Sequence, residues 1–183
     1  MDNYQLSNLM RRSPCSDCFL EVFARDTLPD LQDVSYPIAL IVNSDKISEP
    51  GTHWLAIHAK SADRVVFFDS FGKPPLFYGI EIDMYLNKYF NGQYRENRIQ
   101  VQAMSSDMCG LFCVFFLYNM CAGLTLPEIM RKFEYPKHLK SNDAFLIKFS
   151  KTVFSSPVHQ CTDRVDGAKR QTCLPMYKII RNQ

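Results

Sequence analysis

Glycine is scarce in this sequence, with 7 in 183 residues, and tryptophan occurs once. So few glycines exclude a collagen-like chain. An excess of one charge is missing too. The 21 Lys and Arg against 19 Asp and Glu leave a net +2, too even to announce a nucleic-acid binder. No stretch approaches the roughly 18–20 uninterrupted apolar residues of a membrane span. The first residues, Met1-Asp-Asn-Tyr-Gln5, lack the basic start and apolar run of a signal peptide. Internal repeats and low-complexity segments are absent. What the chain does have is apolar bulk, 46% hydrophobic and 13% aromatic, which excludes a disordered polypeptide. At this length folding hides roughly 70% of the unfolded surface, so a core forms without disulfide staples. The seven cysteines are Cys15, Cys18, Cys109, Cys113, Cys121, Cys161 and Cys173. Their odd number without a signal peptide predicts free thiols in a reducing compartment, and an intracellular protein.

The hydrophobic pattern predicts a short helix over 3–12 closed by Pro14. Three strands follow, over 37–42, 53–59 and 64–69, the last two joined by the turn Ser61-Ala-Asp63. Apolar residues from Ile80 to Phe90 keep helical spacing, and a short strand is expected over 98–102. Residues 109–123 are proline-free and apolar on nearly all sides, which predicts a buried central helix. Another helix should begin at Thr125, with Pro127 in its first turn, and a third at Ser141 or Asn142, where either side chain can cap. Strands followed by helices predict an α+β domain over residues 1–154, with 155–183 as a polar C-terminal extension.

One constellation carries chemistry. In Gln102-Ala-Met-Ser-Ser-Asp-Met-Cys109-Gly110 a cysteine opens a buried helix directly after a polar loop. Unpaired N–H groups and the helix dipole favour a thiolate at that end. Gly110 leaves room for a substrate to approach the backbone. A cysteine nucleophile needs a base and a group to orient that base. His53 opens one strand and Asp69 closes the next, so a hairpin brings them to the same end of the sheet. His58, five residues on, falls on the other face of its strand. Taken singly, Cys109 reads as a buried inert thiol, His53 as a strand-end histidine, Asp69 as a turn initiator and Gln102 as a loop residue. Their chain order changes that reading. Cys113 and Cys121 read as packing residues. Cys15-Ser-Asp-Cys18 has the spacing of a metal half-site, but its partners Cys161 and Cys173 are too widely separated for a usual zinc site, and no metal is expected.

The order His53-Trp54, an acid in Phe68-Asp69-Ser70-Phe71-Gly72, Gln102, then Cys109-Gly110-Leu111-Phe112-Cys113 resembles the adenovirus-type cysteine endopeptidases (adenain). Their wider group includes the ubiquitin-like-protein proteases and enzymes of adenovirus-related viruses and Polinton-type elements. The resemblance covers residues 18–123 and implies their fold, a mixed sheet packed against the nucleophile helix. It implies Cys109 as nucleophile, His53 as base, Asp69 as the orienting acid, and Gln102 with the Cys109 N–H as oxyanion donors. Trp54 would line the substrate groove. It further implies cleavage of viral precursor proteins at Gly-Gly-type sites during virion maturation, by a monomer inside virion and host cell. Rival functions on the same residues are removal of ubiquitin-like modifiers, acyl transfer, and a non-catalytic scaffold for DNA or capsid protein. No cofactor is expected for the chemistry. Peptide and DNA activators belong to the resemblance, yet no cysteine lies between Cys18 and Cys109 to take a disulfide-linked peptide at the adenovirus position. The small net charge offers DNA little attraction.

Overall fold

The structure, a computed structural model, describes residues 1–155. Strands β1 (Phe19–Ala24), β2 (Ile38–Asn43), β3 (Trp54–Ser61), β4 (Arg64–Phe68) and β5 (Tyr94–Glu96) form one sheet in the order β1-β2-β3-β4-β5. The inner pairs are antiparallel and the two outer pairs parallel, so the sheet is mixed. Helices α1 (Asn3–Arg11), α2 (Ile80–Phe90), α3 (Cys109–Cys121), α4 (Leu126–Met130) and α5 (Leu139–Phe154) complete the α+β fold.

Alternation along the central strands builds two cores. Ala39, Ile41, Trp54, Ala56, Val66 and Phe68 face α3. Their neighbours Ile38, Leu40, Leu55, Ile57, Val65 and Phe67 face Ile82, Leu86 and Phe90 of α2. β2 is therefore covered on both sides, which explains its unbroken apolar run. α3 is enclosed by the sheet, α1, α4 and α5, and eleven of its residues, from Cys109 to Asn119, are buried. A helix apolar all round is stable only inside such a shell.

Three local expectations are corrected. The strand expected over 98–102 lies instead at Tyr94–Glu96, paired in parallel with Val65–Phe67. β1 carries no clean alternation and was not predicted as a strand. Asn142 does not cap α5, which starts at Leu139. Its amide instead donates to the Val101 and Glu134 carbonyls and accepts from the Glu134 N–H, tying α5 to the loop that leads to α3.

The cysteine expectation is also corrected, because Cys15 and Cys121 form a disulfide. Packing of α1 on α3 carries the turn after α1 to the far end of α3. The two Cα atoms come within 5.3 Å, a separation a disulfide spans. Their separation of 106 residues hides this from the sequence. Cys121 is thus a cross-link rather than a packing thiol, whereas Cys113 is a buried free thiol. Cys18 lies 3.7 Å from Cys121 Sγ, and burial and Asp17 push its pKa up. Among the described residues, Cys15, Cys18 and Cys121 are the one group close enough to share a metal, and the disulfide occupies two of them. Cys161, Cys173 and the expected extension from residue 156 onward lie outside the described residues. No helix among the described residues is long and apolar enough to cross a membrane.

Closing a loop of this length restricts the unfolded chain. Reduction is therefore expected to lower the unfolding free energy by about 2–5 kcal/mol. Urea titrations with and without reductant check this, and Cys121→Ser should remove the response to reductant. An unchanged wild-type midpoint on reduction would show that the cross-link adds no stability.

Candidate active site

The β3–β4 register pairs Ala56 with Phe68, and the same hairpin continues to bring His53 beside the turn that begins at Asp69. His53 Nε2 is 2.6 Å from Asp69 Oδ1. Phe71 stacks on the imidazole with ring centroids 4.7 Å apart, and Tyr78 stacks at 5.3 Å. These two rings limit the ways the imidazole can turn.

Asp69 has no exposed surface, and a buried carboxylate must be given donors. Besides His53, Oδ1 accepts the Phe71 N–H at 3.1 Å. Oδ2 accepts the Lys73 N–H at 2.7 Å and the Tyr78 hydroxyl at 2.8 Å. Asn97, just past β5, accepts the Asp69 N–H at 2.9 Å and donates to the Asp69 carbonyl. Gly72 closes the turn at φ +70°, and a Cβ there would come within 2.7 Å of the Ile99 backbone. Glycine lets the 69–73 turn lie directly against the 99–102 loop.

Cys109 is the first residue of α3, whose N-terminus has no side-chain cap. Burial alone would raise its thiol pKa. The hydrogen bond and charge of His53, with the Trp54 and Gly110 backbone N–H groups, outweigh that and hold it below the ordinary value. Burial likewise pulls the His53 pKa down, but hydrogen bonds to Asp69 and Cys109 and their charges raise it to about 9. Because Nε2 is engaged by Asp69, Nδ1 is the nitrogen left for Cys109. Both shifts run toward a thiolate–imidazolium pair backed by a carboxylate.

Gln102 is buried in the same loop. Its Nε2 donates to the Ser106 carbonyl at 2.7 Å, and its Oε1 accepts the Ser70 hydroxyl at 2.6 Å. Ser106 Oγ in turn donates to Asp143 of α5 at 2.9 Å, which fixes the loop ahead of Cys109. The structure thus brings His53 and Asp69 into direct contact and places Cys109 where it interacts with His53, with Gln102 in the loop leading to Cys109.

Trp54 and Gly110 meet each other rather than open solvent. Trp54 Nε1 donates to the Met1 carbonyl at 3.2 Å. A Cβ on Gly110 would lie 3.1 Å from Leu6 and 3.2 Å from Trp54. The missing side chain at Gly110 leaves room for Leu6 of α1 and for the Trp54 ring. Ser70, Tyr78 and Asn97 escaped the sequence reading. Ser70 and Phe71 at least flank Asp69, whereas nothing local marks Tyr78 or Asn97. His58 takes no part. It is buried, its Nδ1 has no hydrogen-bond partner among the described residues, and burial and Lys60 lower its pKa to about 4. His138 directly precedes α5, and His159 lies outside the described residues.

The family model described as adenovirus endoprotease matches residues 19–127. The chain belongs to this family. The matched segment holds His53, Asp69, Gln102 and Cys109. No curated protein matches it. Among solved structures it is similar to the ASFV pS273R protease, with 14% identity and a TM-score of 0.55 over 84% of this chain and 66% of that one. This chain thus spans just under two thirds of that protease, and the likeness is one of fold. The central domain of Lpg1148 from Legionella pneumophila matches with 13% identity and a TM-score of 0.48, over 84% of this chain and 98% of that one. ChlaDub1 from Chlamydia trachomatis matches with 15% identity and a TM-score of 0.41, over 67% and 63%.

A preformed thiolate has a direct chemical signature. At pH 6 iodoacetamide is expected to alkylate Cys109 about tenfold or more faster than Cys18 or Cys113, and His53→Ala should remove that advantage. Pulse alkylation followed by peptide mass spectrometry measures both. Equal labelling of Cys109 and Cys18 in the wild type would mean that no ion pair forms.

Proposed function

We propose that this chain is an endopeptidase that cuts viral precursor proteins at Gly-Gly-type sites during virion maturation, with Cys109 as nucleophile and His53 as acid and base. The observation that carries the reading is Cys109 at the head of α3 beside an imidazole whose far nitrogen holds a buried carboxylate. The precursor and Gly-Gly elements come from the family resemblance. A groove too narrow for side chains would be a physical reason for such a preference.

The Cys109 thiolate adds to the scissile carbonyl carbon, and the carbonyl oxygen takes the negative charge. The Cys109 N–H and the Gln102 side-chain amide are the donors assigned to that oxygen. The His53 imidazolium gives its proton to the leaving amine as the C–N bond breaks, which leaves a thioester on Cys109 and a neutral imidazole. That imidazole then takes a proton from water as its oxygen attacks the thioester. Collapse expels the Cys109 thiolate, releases the acid product and restores the ion pair. Asp69 holds the ring nitrogen that does not transfer the proton, so His53 keeps one tautomer throughout.

Peptides carrying Gly-Gly before the scissile bond are expected to be cleaved, and Cys109→Ala should lower the rate by a thousandfold or more. The kcat/KM profile should rise as the Cys109 thiol ionises. It should fall above about pH 9, where His53 loses the proton needed by the leaving amine. Preference for a ubiquitin-like fusion over the peptides would move the substrate assignment to modifier removal. Transfer of label from acetyl-CoA to an acceptor, without hydrolysis, would replace the peptidase assignment by acyl transfer.

A further inference from the structure

We propose that Ser70 is a positioning residue that sets the Gln102 amide for the oxyanion. The inference rests on the peptidase reading above and deepens it. Ser70 and Gln102 are 0% and 1% exposed, so neither can call on bulk water. A primary amide in such a place can be flipped, exchanging its oxygen for its NH2 group. Two contacts decide the matter here. The Ser106 carbonyl can only accept, so the amide group 2.7 Å from it is Nε2. The Ser70 hydroxyl, 2.6 Å from the other end, then donates to Oε1.

This arrangement has two consequences. Nε2 carries two N–H groups, and the Ser106 carbonyl uses one. The second has no protein partner among the described residues and is the one left for a substrate oxyanion. Donation to Oε1 also draws electron density toward the amide oxygen, which makes the N–H at the other end a stronger donor. The Ser106 carbonyl thus fixes the direction of the Gln102 dipole, and the Ser70 hydroxyl anchors its oxygen end and strengthens it.

The backbone supplies the same clasp. The Ser70 carbonyl accepts the N–H of Val101 at 2.9 Å and of Gln102 at 3.0 Å. Ser70 also follows Asp69 directly in sequence. One residue therefore joins the arm that orients the base to the arm that holds the oxyanion donor. A flip of Gln102 would face Oε1 to the Ser106 carbonyl and offer the amide oxygen to an oxyanion, both repulsive. The carbonyl at Ser106 opposes that flip, and the Ser70 hydroxyl, bonded to Oε1, holds the unflipped amide in place.

The test compares two reactions of Cys109 on the full chain. Iodoacetamide alkylates the thiolate by direct displacement, with no oxyanion. N-acetylglycine p-nitrophenyl ester acylates the same thiolate through a tetrahedral oxyanion and demands no peptide sequence. Loss of one oxyanion donor costs about 10²–10³-fold. Ser70→Ala is therefore expected to slow acylation by about 10–100-fold while alkylation stays within about twofold. Gln102→Ala should do the same, and Ser70→Ala added to it should slow acylation no further. Ser70→Thr, which keeps the hydroxyl, should restore much of the rate. The inference is overturned if Ser70→Ala acylates at the wild-type rate while Gln102→Ala is slow. It is equally overturned if acylation and alkylation fall together, which would mean that Ser70 only supports the fold around the dyad. A wild type whose Cys109 alkylates rapidly but accepts no ester would reject the peptidase reading itself, and the inference with it.

Discussion

A carboxylate removed from water must find donors for both oxygens, and at Asp69 the fold gathers them from three places. The turn after β4 supplies two backbone N–H groups, from Phe71 and Lys73. The segment before α2 supplies the Tyr78 hydroxyl, and His53 brings its imidazole from the start of β3. Asn97, past β5, clamps the Asp69 backbone from the other side. Breaking one donor would leave a buried charge undersatisfied, a penalty of a few kcal/mol. The geometry of the sheet end is therefore constrained by one anion. The imidazole is held by the same anion and carries that constraint to Cys109.

Cys109 is held by a different force. α3 buries nearly every residue between the sheet and three helices, so sliding along its axis would bring badly fitting side chains into a close-packed core. Gly110 lets α1 press directly on the first turn of α3, and the Cys15–Cys121 cross-link fastens the turn after α1 to its last residue. Polar bonding thus positions His53, while packing positions Cys109. The two systems are joined through the 99–109 loop, which Gly72 admits on one side and Asn142 and Asp143 of α5 hold on the other.

What was legible in the sequence follows this division. β2, β3, β4 and the buried α3 could be read because runs such as Ile38-Ala-Leu-Ile-Val42 and Cys109–Cys121 record their burial locally. The hairpin between β3 and β4 then placed His53 near Asp69 without further information. β5 could not be read, because three residues paired in parallel have no alternation long enough to detect. Neither could the Cys15–Cys121 pairing, which depends on α1 lying along α3. Asn142 looked like a helix cap because its side chain serves either use. Only the fold reveals that two loop carbonyls stand within its reach.

His53 and His58 show why residue type and burial do not settle a role. They stand five residues apart on and beside the same strand, and 7% and 5% of their surfaces are exposed. Burial disfavours the charged form of both rings by a similar mechanism. Yet one is raised to about 9 and the other lowered to about 4. The difference is what each ring faces. His53 meets the Asp69 carboxylate and a thiol that it can turn into an anion, so its positive charge is repaid on both sides. His58 has only Lys60 as a charged influence, which opposes protonation further. The anions each ring faces, and not the depth of burial, set His53 apart from His58. Any change that leaves His53 buried while removing its anion should turn it into a neutral ring like His58.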